Sequence, residues 1–448
     1  MQCLGKVQLK MERSSQCSCL AKQEAETHRD WSWVEASIWT ERMLAALVNG
    51  VKGGRWYSLF DKLCSARTLM AAWLKVESNR GAAGVDKVSM KRFRANAAGY
   101  LDELERALTK GTYVPLPVKR VYIPKGKNQL RPLGIPAIKD RIVQTALKMV
   151  LEPIFENEFL AMSYGFRPQR GCKDALREVD SLIKAGYVFV VDADLKNYFD
   201  SIPHPQLLDR IKEKVSDGRI IGLIKQFLSQ DILDGLERWT PTSGSPQGAV
   251  ASPLLANLYL HPLDVLITSA GYKMVRYADD LVILCQTMQE ARTALGLVHD
   301  WTQANGLTLH PEKTRVGNCL ESGEGFDFLG YRFESGKRHV RAKSLKALRD
   351  KVRQKTVRTR GDSLTRIIED LNPTLRGWFE YFKHAHWHTF SSVDGFVRRR
   401  LRAVLRKQDK RPGHGMCQAD HRRWPNAFFA AHGLFTMVEA CAQASRSR

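Results

Sequence analysis

The stretch Lys273–Leu284, KMVRYADDLVIL, places two adjacent aspartates between two short apolar runs. Two strand-like runs around a tight polar turn predict a β-hairpin with carboxylates at its tip. Adjacent carboxylates resist joint ionisation unless a cation neutralises them. Asp279 and Asp280 therefore favour a Mg²⁺ site for phosphoryl transfer, in which two ions hold the attacking and leaving oxygens. A solvated turn is the alternative for an isolated Asp-Asp pair, so this interpretation requires a third carboxylate elsewhere.

A second acidic strand lies upstream, in the sequence YVFVVDAD at Tyr187–Asp194. Its β-branched and aromatic residues predict a buried strand that delivers a carboxylate at its C-terminal end. Side chains alternate along a strand with a period of two, so Asp192 and Asp194 share one face and both are candidates. The chain continues to Asp200 in the form D-x-x-x-[YF]-F-D, and Asp200 itself is expected to be structural.

The composition indicates a nucleic-acid-binding protein. The 448 residues include 70 Lys+Arg and 47 Asp+Glu, which gives a net charge of +23. An acidic membrane surface is the alternative partner, but no apolar run approaches the roughly 20 residues that span a bilayer, so we expect no membrane partner. The nine cysteines show no paired spacing, and Met1–Leu20 lacks the apolar core of a secretory signal. These features favour a cytoplasmic protein without disulfides.

The excess of basic residues is concentrated near the C-terminus. Lys337–Arg411 contains 22 Lys+Arg and 7 Asp+Glu, a balance of +15. A charge run is often only a solvated face, but a surplus this concentrated favours a phosphate-binding surface. The candidates for contacts with RNA in this region are its exposed cations, Arg398, Arg399, Arg400, Arg402, Arg406 and Lys407.

Hydrophobic periodicity predicts an α+β fold followed by an all-helical region. The predicted domains are a variable N-terminal extension at 1–55, a mixed strand and helix region at 56–336, a helical domain at 337–411, and a short extension at 412–448, for which contact with DNA is a candidate role. The mixed region contains a predicted hairpin over 117–136, and 326–333 predicts one further hairpin strand.

Two segments of the mixed region suit nucleotide binding. Lys125 and Arg131 flank a flexible turn, and two cations placed in this way suit a triphosphate. The segment Gly244–Asn257, GSPQGAVASPLLAN, contains Gln247 and Gly248 in a Gly/Pro loop that lets backbone approach a ligand closely. Ser252 is expected to cap the helix that follows.

Taken in order, the segments resemble a group II intron-encoded reverse transcriptase and maturase of the bacterial type. The resemblance covers roughly residues 56 to 440, and it is carried by GVDKVSMKRF, RPLGIPAIKDRIVQ, SYGFRP, DADLKNYFDSI, SPQGAVASPLLANLYL, RYADD, LHPEKT, FLGYRF and LNPTLRGWFEYF. It implies the fingers and palm of a right-hand polymerase followed by a helical thumb, or maturase, domain. Ala249 stands where many members of this family have a second glycine.

The resemblance also implies roles for individual residues. Asp194 and Asp279 would bind two Mg²⁺ ions with support from Asp280, and Phe199 would stack on the incoming sugar and exclude a 2′-hydroxyl. Lys313 would approach the pyrophosphate leaving group and donate a proton. The spacing to Phe199 favours Asp194 over Asp192 as the metal ligand.

The implied function is an RNA-directed DNA polymerase that binds its own intron RNA, assists splicing and supports intron mobility. Its partners would be dNTPs, a DNA primer and a DNA target. The alternatives are a maturase that only assists splicing and a bacterial reverse transcriptase outside introns. We expect no Cys/His-rich endonuclease segment, because the C-terminal sequence has no metal-ligand pairs. The sequence makes no prediction of the oligomeric state.

Overall fold

The computed structural model describes residues 30–126 and 129–446. Its fold is α+β. After Val340 the described part of the chain contains helices and no strands. The helices are α1 (Glu41–Asn49), α2 (Phe60–Cys64), α3 (Ala66–Ser78), α4 (Met90–Ala95), α5 (Ala97–Thr109), α6 (Ile138–Glu156), α7 (Cys172–Lys184), α8 (Tyr198–Ser201), α9 (His204–Lys212), α10 (Gly218–Leu228), α11 (Ser252–Ser269), α12 (Met288–Ala304), α13 (Ala342–Lys355), α14 (Leu364–Phe382), α15 (His388–Gln408), α16 (Gln418–Arg423), α17 (Asn426–Ala431) and α18 (Met437–Arg446).

The strands form three sheets with the orders β2-β1-β4-β5, β6-β7-β3-β8 and β11-β10-β9. The strands are β1 (Val118–Gly126), β2 (Gln129–Ile135), β3 (Phe189–Asp194), β4 (Ile232–Asp234), β5 (Glu237–Trp239), β6 (Lys273–Tyr277), β7 (Asp280–Cys285), β8 (Arg315–Asn318), β9 (Phe326–Phe328), β10 (Tyr331–Glu334) and β11 (Lys337–Val340). The second sheet carries both acidic sequences, because β3 ends at Asp194 and the β6–β7 turn contains Asp279.

The predicted hairpins over 117–136 and 273–284 are confirmed. Residues 326–333 form two strands, β9 and β10, where one was predicted; Leu329 and Gly330 both have positive φ and reverse the chain between them. The short hairpin β4–β5 was not predicted. It extends the first sheet through parallel pairing of Ile232 with Val118.

Backbone contacts divide the chain into two compact units. The first contains the described residues up to Ala175, together with Ala193–Ile283 and Arg292–Thr314. The second contains Leu176–Asp192, Leu284–Ala291 and the described residues from Arg315 onward. The domain boundaries predicted at 56, 337 and 412 stay a prediction. Among the helices of residues 30–126 and 129–446, none has the length and hydropathy that a membrane span requires.

A buried ion pair anchors the acidic hairpin to α11. Arg276 of β6 donates from Nε to Asp264 Oδ1 at 2.7 Å and from Nη2 to Asp264 Oδ2 at 2.5 Å, and both side chains are 0% exposed. The remaining nitrogen, Nη1, donates to the Ala278 carbonyl at 2.8 Å and to Asn257 Oδ1 at 2.9 Å. Burial alone would lower the pKa of Arg276, but the Asp264 carboxylate outweighs it and raises that pKa. One charged guanidinium therefore connects the helix to the turn.

The turn itself adopts an unusual backbone conformation. Ala278 has φ +60°, a region that glycine enters at lower cost than alanine. Gly165 packs directly against this turn, and a Cβ at that position would overlap the backbone nitrogen of Ala278. Asn257 Nδ2 donates to the Gly165 carbonyl at 2.7 Å, and Tyr164 N donates to the Arg276 carbonyl at 2.8 Å. These contacts hold the strained turn in one position.

We predict that Asp264→Asn destabilises the protein by about 3–5 kcal/mol, because it leaves the Arg276 charge buried and uncompensated. Denaturant unfolding of the wild type and the variant measures this difference. The control is the double variant Arg276→Met/Asp264→Leu, which replaces both charges by apolar groups and should recover most of the lost stability. Equal stability of Asp264→Asn and the wild type would contradict the assignment of a charged, buried Arg276.

Candidate active site

Asp194 is the last residue of β3, and its carboxylate is engaged by a lysine. Lys313 Nζ lies 2.8 Å from Asp194 Oδ2, and the two side chains are 56% and 42% exposed. The backbone aligns this pair, because His310 N donates to the Asp194 carbonyl at 2.7 Å and Lys196 N donates to the Thr308 carbonyl at 2.8 Å. The segment that carries Lys313 is thus bound along the end of β3, and the structure brings these two predicted site residues together.

Asp279 and Asp280 are half-buried at the tip of the β6–β7 hairpin. The Asp279 charge acts on Arg276 and on Tyr198, which follows Asp194 by four residues. Burial is the main cause that raises the pKa of Tyr198 well above its usual range, and Asp279 adds to the effect. β7 also neighbours β3 in the second sheet, so the hairpin that carries Asp279 lies beside the strand that ends at Asp194.

The acidic residues fit a divalent cation that arrives together with the substrate. They fit a preformed metal site less well. Across the two described ranges, no group of three or more His, Cys, Asp or Glu side chains is arranged to hold a metal ion. Asp194 binds the Lys313 ammonium, which shows that its carboxylate accepts a cation at this position. Magnesium commonly uses only one or two protein carboxylates and completes its shell with water and substrate phosphates.

A polar cleft lies where the β1–β2 hairpin meets the Gly/Pro loop. Arg131 Nε donates to Gln247 Oε1 at 2.8 Å, and Gln247 Nε2 lies 3.3 Å from Asp200 Oδ2. The backbone of the loop is joined to β2, because Gly134 N donates to the Gln247 carbonyl at 2.6 Å. Gly248 has φ +104°, and a Cβ there would overlap the Gly134 carbonyl oxygen. The predicted residues Arg131, Gln247 and Gly248 are therefore brought together.

Two residues of this cleft were not predicted as site residues. Arg120 and Asp200 both line it, although the sequence favours a structural role for Asp200. Burial raises the pKa of Asp200, while Arg120, Gln247 and Arg131 act in the opposite direction. The signal for Arg120 was available in the sequence, since it follows Val118 by two residues on β1 and therefore shares its face, and both residues line the cleft. The side chain of Lys125 lies outside the part of the chain that the structure describes.

Phe199 is buried beside the same loop, with 9% exposure. Its carbonyl accepts from Ser245 N at 2.7 Å, and its ring meets the Tyr198 ring edge-on at 5.6 Å. Ser252 is not the helix cap that we expected, because Ala251 occupies that position. The Ser252 hydroxyl instead lies 2.9 Å from the Pro246 carbonyl and 2.6 Å from the Ser245 hydroxyl, so it closes the loop. Ala249 is buried without a positive φ, and its methyl group is accommodated.

Asp192, the competing carboxylate on β3, has a different environment. It is 16% exposed and forms an ion pair with Arg315 at 3.5 Å. Asp192 is paired in register with Arg315 of β8. These contacts give Asp192 a role in joining two strands, and the preference for Asp194 as the metal ligand stays a prediction.

The basic residues of α15 do not share one environment. Arg402 is 3% exposed and donates to the Trp424 carbonyl at 2.9 Å and to Asn426 Oδ1 at 3.0 Å, so its interpretation as an exposed cation is wrong. Arg400 and Arg406 are half-buried; Arg400 donates to the Thr356 carbonyl at 2.7 Å, and Arg406 pairs with Asp420 at 2.7 Å. Arg398 is also half-buried, whereas Arg399 and Lys407 are exposed.

Comparison with known proteins identifies two family regions. Residues 123–333 match the family "Reverse transcriptase (RNA-dependent DNA polymerase)", and residues 345–424 match "Group II intron, maturase-specific domain". Together these ranges account for more than half of the chain.

Individual relatives match shorter parts of the chain. Protein YkfC of Escherichia coli (strain K12) is 43% identical over 194 residues, which cover 42% of this chain and 51% of that protein. Group II intron-encoded protein LtrA of Lactococcus lactis subsp. cremoris is 38% identical over 183 residues, 41% of this chain and 30% of that protein. The chain thus spans about half the length, or less, of these curated relatives.

A solved structure titled "Partial Cas6-RT-Cas1--Cas2 complex" contains a chain that is 25% identical, with a TM-score of 0.35 over 55% of this chain and 41% of that one.

The two regions that match family models, 123–333 and 345–424, follow one another in the order that the sequence motifs predict. The chain combines a reverse transcriptase domain with a group II intron maturase domain, and it belongs to the family of group II intron-encoded reverse transcriptases.

Proposed function

We propose that this chain is an RNA-directed DNA polymerase that also binds its own group II intron RNA, assists its splicing and copies it into DNA. The observation that carries the polymerase proposal is that the acidic β6–β7 hairpin lies beside β3 in one sheet, and that β3 ends at Asp194, whose carboxylate already holds a cationic group. Its substrates would be dNTPs, with an RNA template and a DNA primer, and its DNA target would receive the intron. We propose that it works in the cytoplasm.

The acidic residues would hold the metal ions. Asp194 and Asp279 are proposed as ligands of two Mg²⁺ ions, with Asp280 beside them. When bound, the ions would supply activation of the primer 3′-hydroxyl and neutralisation of charge on the phosphates. Asp279 and Asp280 need such a partner because adjacent carboxylates resist joint ionisation unless a cation neutralises them.

Lys313 is proposed to have two roles at different stages. In the free protein its ammonium neutralises Asp194 through the contact of 2.8 Å. Binding of a nucleotide with its cation would release the lysine from that contact. The freed ammonium is then in position to donate a proton to the pyrophosphate leaving group.

The cleft at the β1–β2 hairpin is proposed to bind the nucleotide. Arg131 is held by Gln247 at 2.8 Å, and its guanidinium can bind phosphate oxygens with two parallel hydrogen bonds. Gly248 lets the loop pack closely against the Gly134 carbonyl, and the loop so positioned is proposed to line the base pair. Lys125 is proposed to contribute a second cation at the tip of this hairpin. Phe199 is proposed to contact the sugar and to exclude a 2′-hydroxyl.

The maturase activity is proposed to reside in the basic C-terminal region. On α15 we propose the exposed Arg399 and Lys407 and the half-buried Arg398 for contacts with intron RNA phosphates. Arg402 instead holds α15 to the segment at Trp424 and Asn426. Arg400 and Arg406, which also have protein partners, retain only part of their donors for RNA.

The first test separates the two activities. We expect Asp279→Ala to abolish DNA synthesis on an RNA template, because it removes a carboxylate that holds the cations. RNA-assisted splicing should persist, since the RNA-binding surface is elsewhere in the sequence. Primer extension and splicing of the intron RNA, measured on the same preparations, check both expectations. Asp300→Ala, which removes an exposed aspartate of α12, is the matched control and should retain both activities. If Asp279→Ala lost splicing together with DNA synthesis, the assignment of the two activities to separate sites would be contradicted.

The second test concerns sugar selection. We expect Phe199→Ala to lower the ratio of kcat/KM for dNTPs over the matching ribonucleotides by roughly tenfold or more, because it removes the ring that excludes the 2′-hydroxyl. The ratio is the appropriate readout, because a general loss of stability reduces the incorporation of both nucleotides alike. The control is Phe227→Ala, which removes another buried ring, in α10, and should leave the ratio unchanged. An unchanged ratio in Phe199→Ala would exclude Phe199 as the selective residue.

A further inference from the structure

A stack of three aromatic rings, His386, His388 and Trp387, lies at the connection between α14 and α15, and the His339 ring of β11 is tilted against its His386 end. The ring centroids of His339 and His386 are 5.8 Å apart, those of His386 and His388 are 5.1 Å apart, and those of His388 and Trp387 are 3.7 Å apart. The successive planes differ by 35°, 24° and 27°. All four residues belong to the second unit, and three of them come from the sequence HWH at 386–388.

The stack ends at the protein surface. Trp387 is 57% exposed, and His388 beside it is exposed as well. The neighbouring aromatic residues Phe382 and Phe390 are buried in the core of the helical region. Core packing therefore accounts for those phenylalanines, but it does not account for the exposed face of Trp387.

The stack is held in place from its inner end. His386 N donates to the carbonyl of Arg338 at 2.7 Å, which ties the connection to β11. Stacking of His388 on Trp387 at 3.7 Å restricts both exposed rings. A ring that is already ordered loses little conformational entropy when a second planar group stacks on it.

The charges around the stack are favourable for an acidic partner. Burial lowers the pKa of His386, and the neighbouring His388, Lys337 and His339 lower it further. These three neighbours are all basic groups, and Lys337 is exposed. The segment Lys337–Arg411 that contains the connection carries a balance of +15. The histidines do not form a metal site, since the described residues hold no group of three or more His, Cys, Asp or Glu side chains that could bind a metal ion.

We propose that Trp387 and His388 form a stacking platform for an unpaired base of single-stranded RNA, with Lys337 available to the adjacent phosphate. An exposed aromatic face beside cations matches the two parts of an unpaired nucleotide, which presents a planar base and a charged backbone. A base within a duplex is covered on both faces by its neighbours, so the platform selects unpaired RNA. The inference deepens the proposed maturase function and rests on it, since it specifies where and how this region contacts RNA.

The test compares the affinities of the full chain and its variants for a single-stranded oligoadenylate and for a fully paired RNA duplex. We expect Trp387→Ala to weaken binding of the single strand by roughly tenfold, the order expected from loss of one base–aromatic stack. Trp387→Phe, which keeps a smaller ring, should lose less. Affinity for the duplex should not change. The dependence of log Kd on log salt should keep its slope in Trp387→Ala, because no phosphate contact is removed.

Two controls separate loss of the stacking platform from loss of the fold or of the polymerase site. Tyr57→Ala removes a similarly exposed aromatic residue of the first unit, 61% exposed, and should leave the affinity for oligoadenylate unchanged. Thermal melting of each variant establishes that it is folded. Primer extension at saturating template should be retained in Trp387→Ala, which distinguishes failure of the platform from failure of the polymerase proposal.

Three results would overturn the proposal. One is equal affinity of Trp387→Ala and the wild type for the single strand while the wild type extends primers. Another is an equal loss of affinity for the duplex, which would indicate a general effect on the basic surface. The third is a change in sedimentation of Trp387→Ala without a change in RNA affinity, which would assign the exposed rings to contact between copies of the chain.

Discussion

A guanidinium removed from water stays charged only if a carboxylate is fixed against it, and the pair formed by Arg276 and Asp264 meets this condition with two direct contacts. The third nitrogen of the same guanidinium binds the Ala278 carbonyl in the acidic turn. The turn has a positive φ that alanine does not favour, so an external restraint is needed to keep it. The position of Asp279 and Asp280 therefore depends on the buried charge of Arg276, which lies just before the turn in the same hairpin.

The electrostatics of the site follow from the same arrangement. The hairpin carries two carboxylates beside β3, which ends at the carboxylate of Asp194, and Lys313 compensates the charge of Asp194 in the free protein. The cleft between the β1–β2 hairpin and the Gly/Pro loop has the opposite charge balance. Its two cations, Arg120 and Arg131, outnumber its one acidic residue, Asp200. A metal-bound nucleotide has a cationic part and an anionic part, and under the proposed function the two regions of the first unit would complement them separately.

The local chemistry of the site was predictable from the sequence, because short-range patterns encode it. The hairpin at Asp279, the strand ending at Asp194 and the loop containing Gln247 all follow from alternation, turn residues and spacing. The network of Arg276, Asp264 and Asn257 was not predicted, since partners far apart in sequence carry no periodic signal. The burial of individual charged side chains could not be predicted from the sequence either. Arg402 lies among basic residues that resemble an exposed face, yet its guanidinium fits the backbone and side chain of a later segment.

Primer extension on an RNA template with dNTPs and Mg²⁺, by the wild type and Asp194→Asn, tests the central claim most directly. That substitution removes the charge of a carboxylate that is 42% exposed and keeps its shape. The account predicts extension by the wild type and its loss in Asp194→Asn, with RNA affinity retained in both. A folded wild-type protein that binds RNA and extends no primer, or an Asp194→Asn variant that extends as well as the wild type, would contradict it.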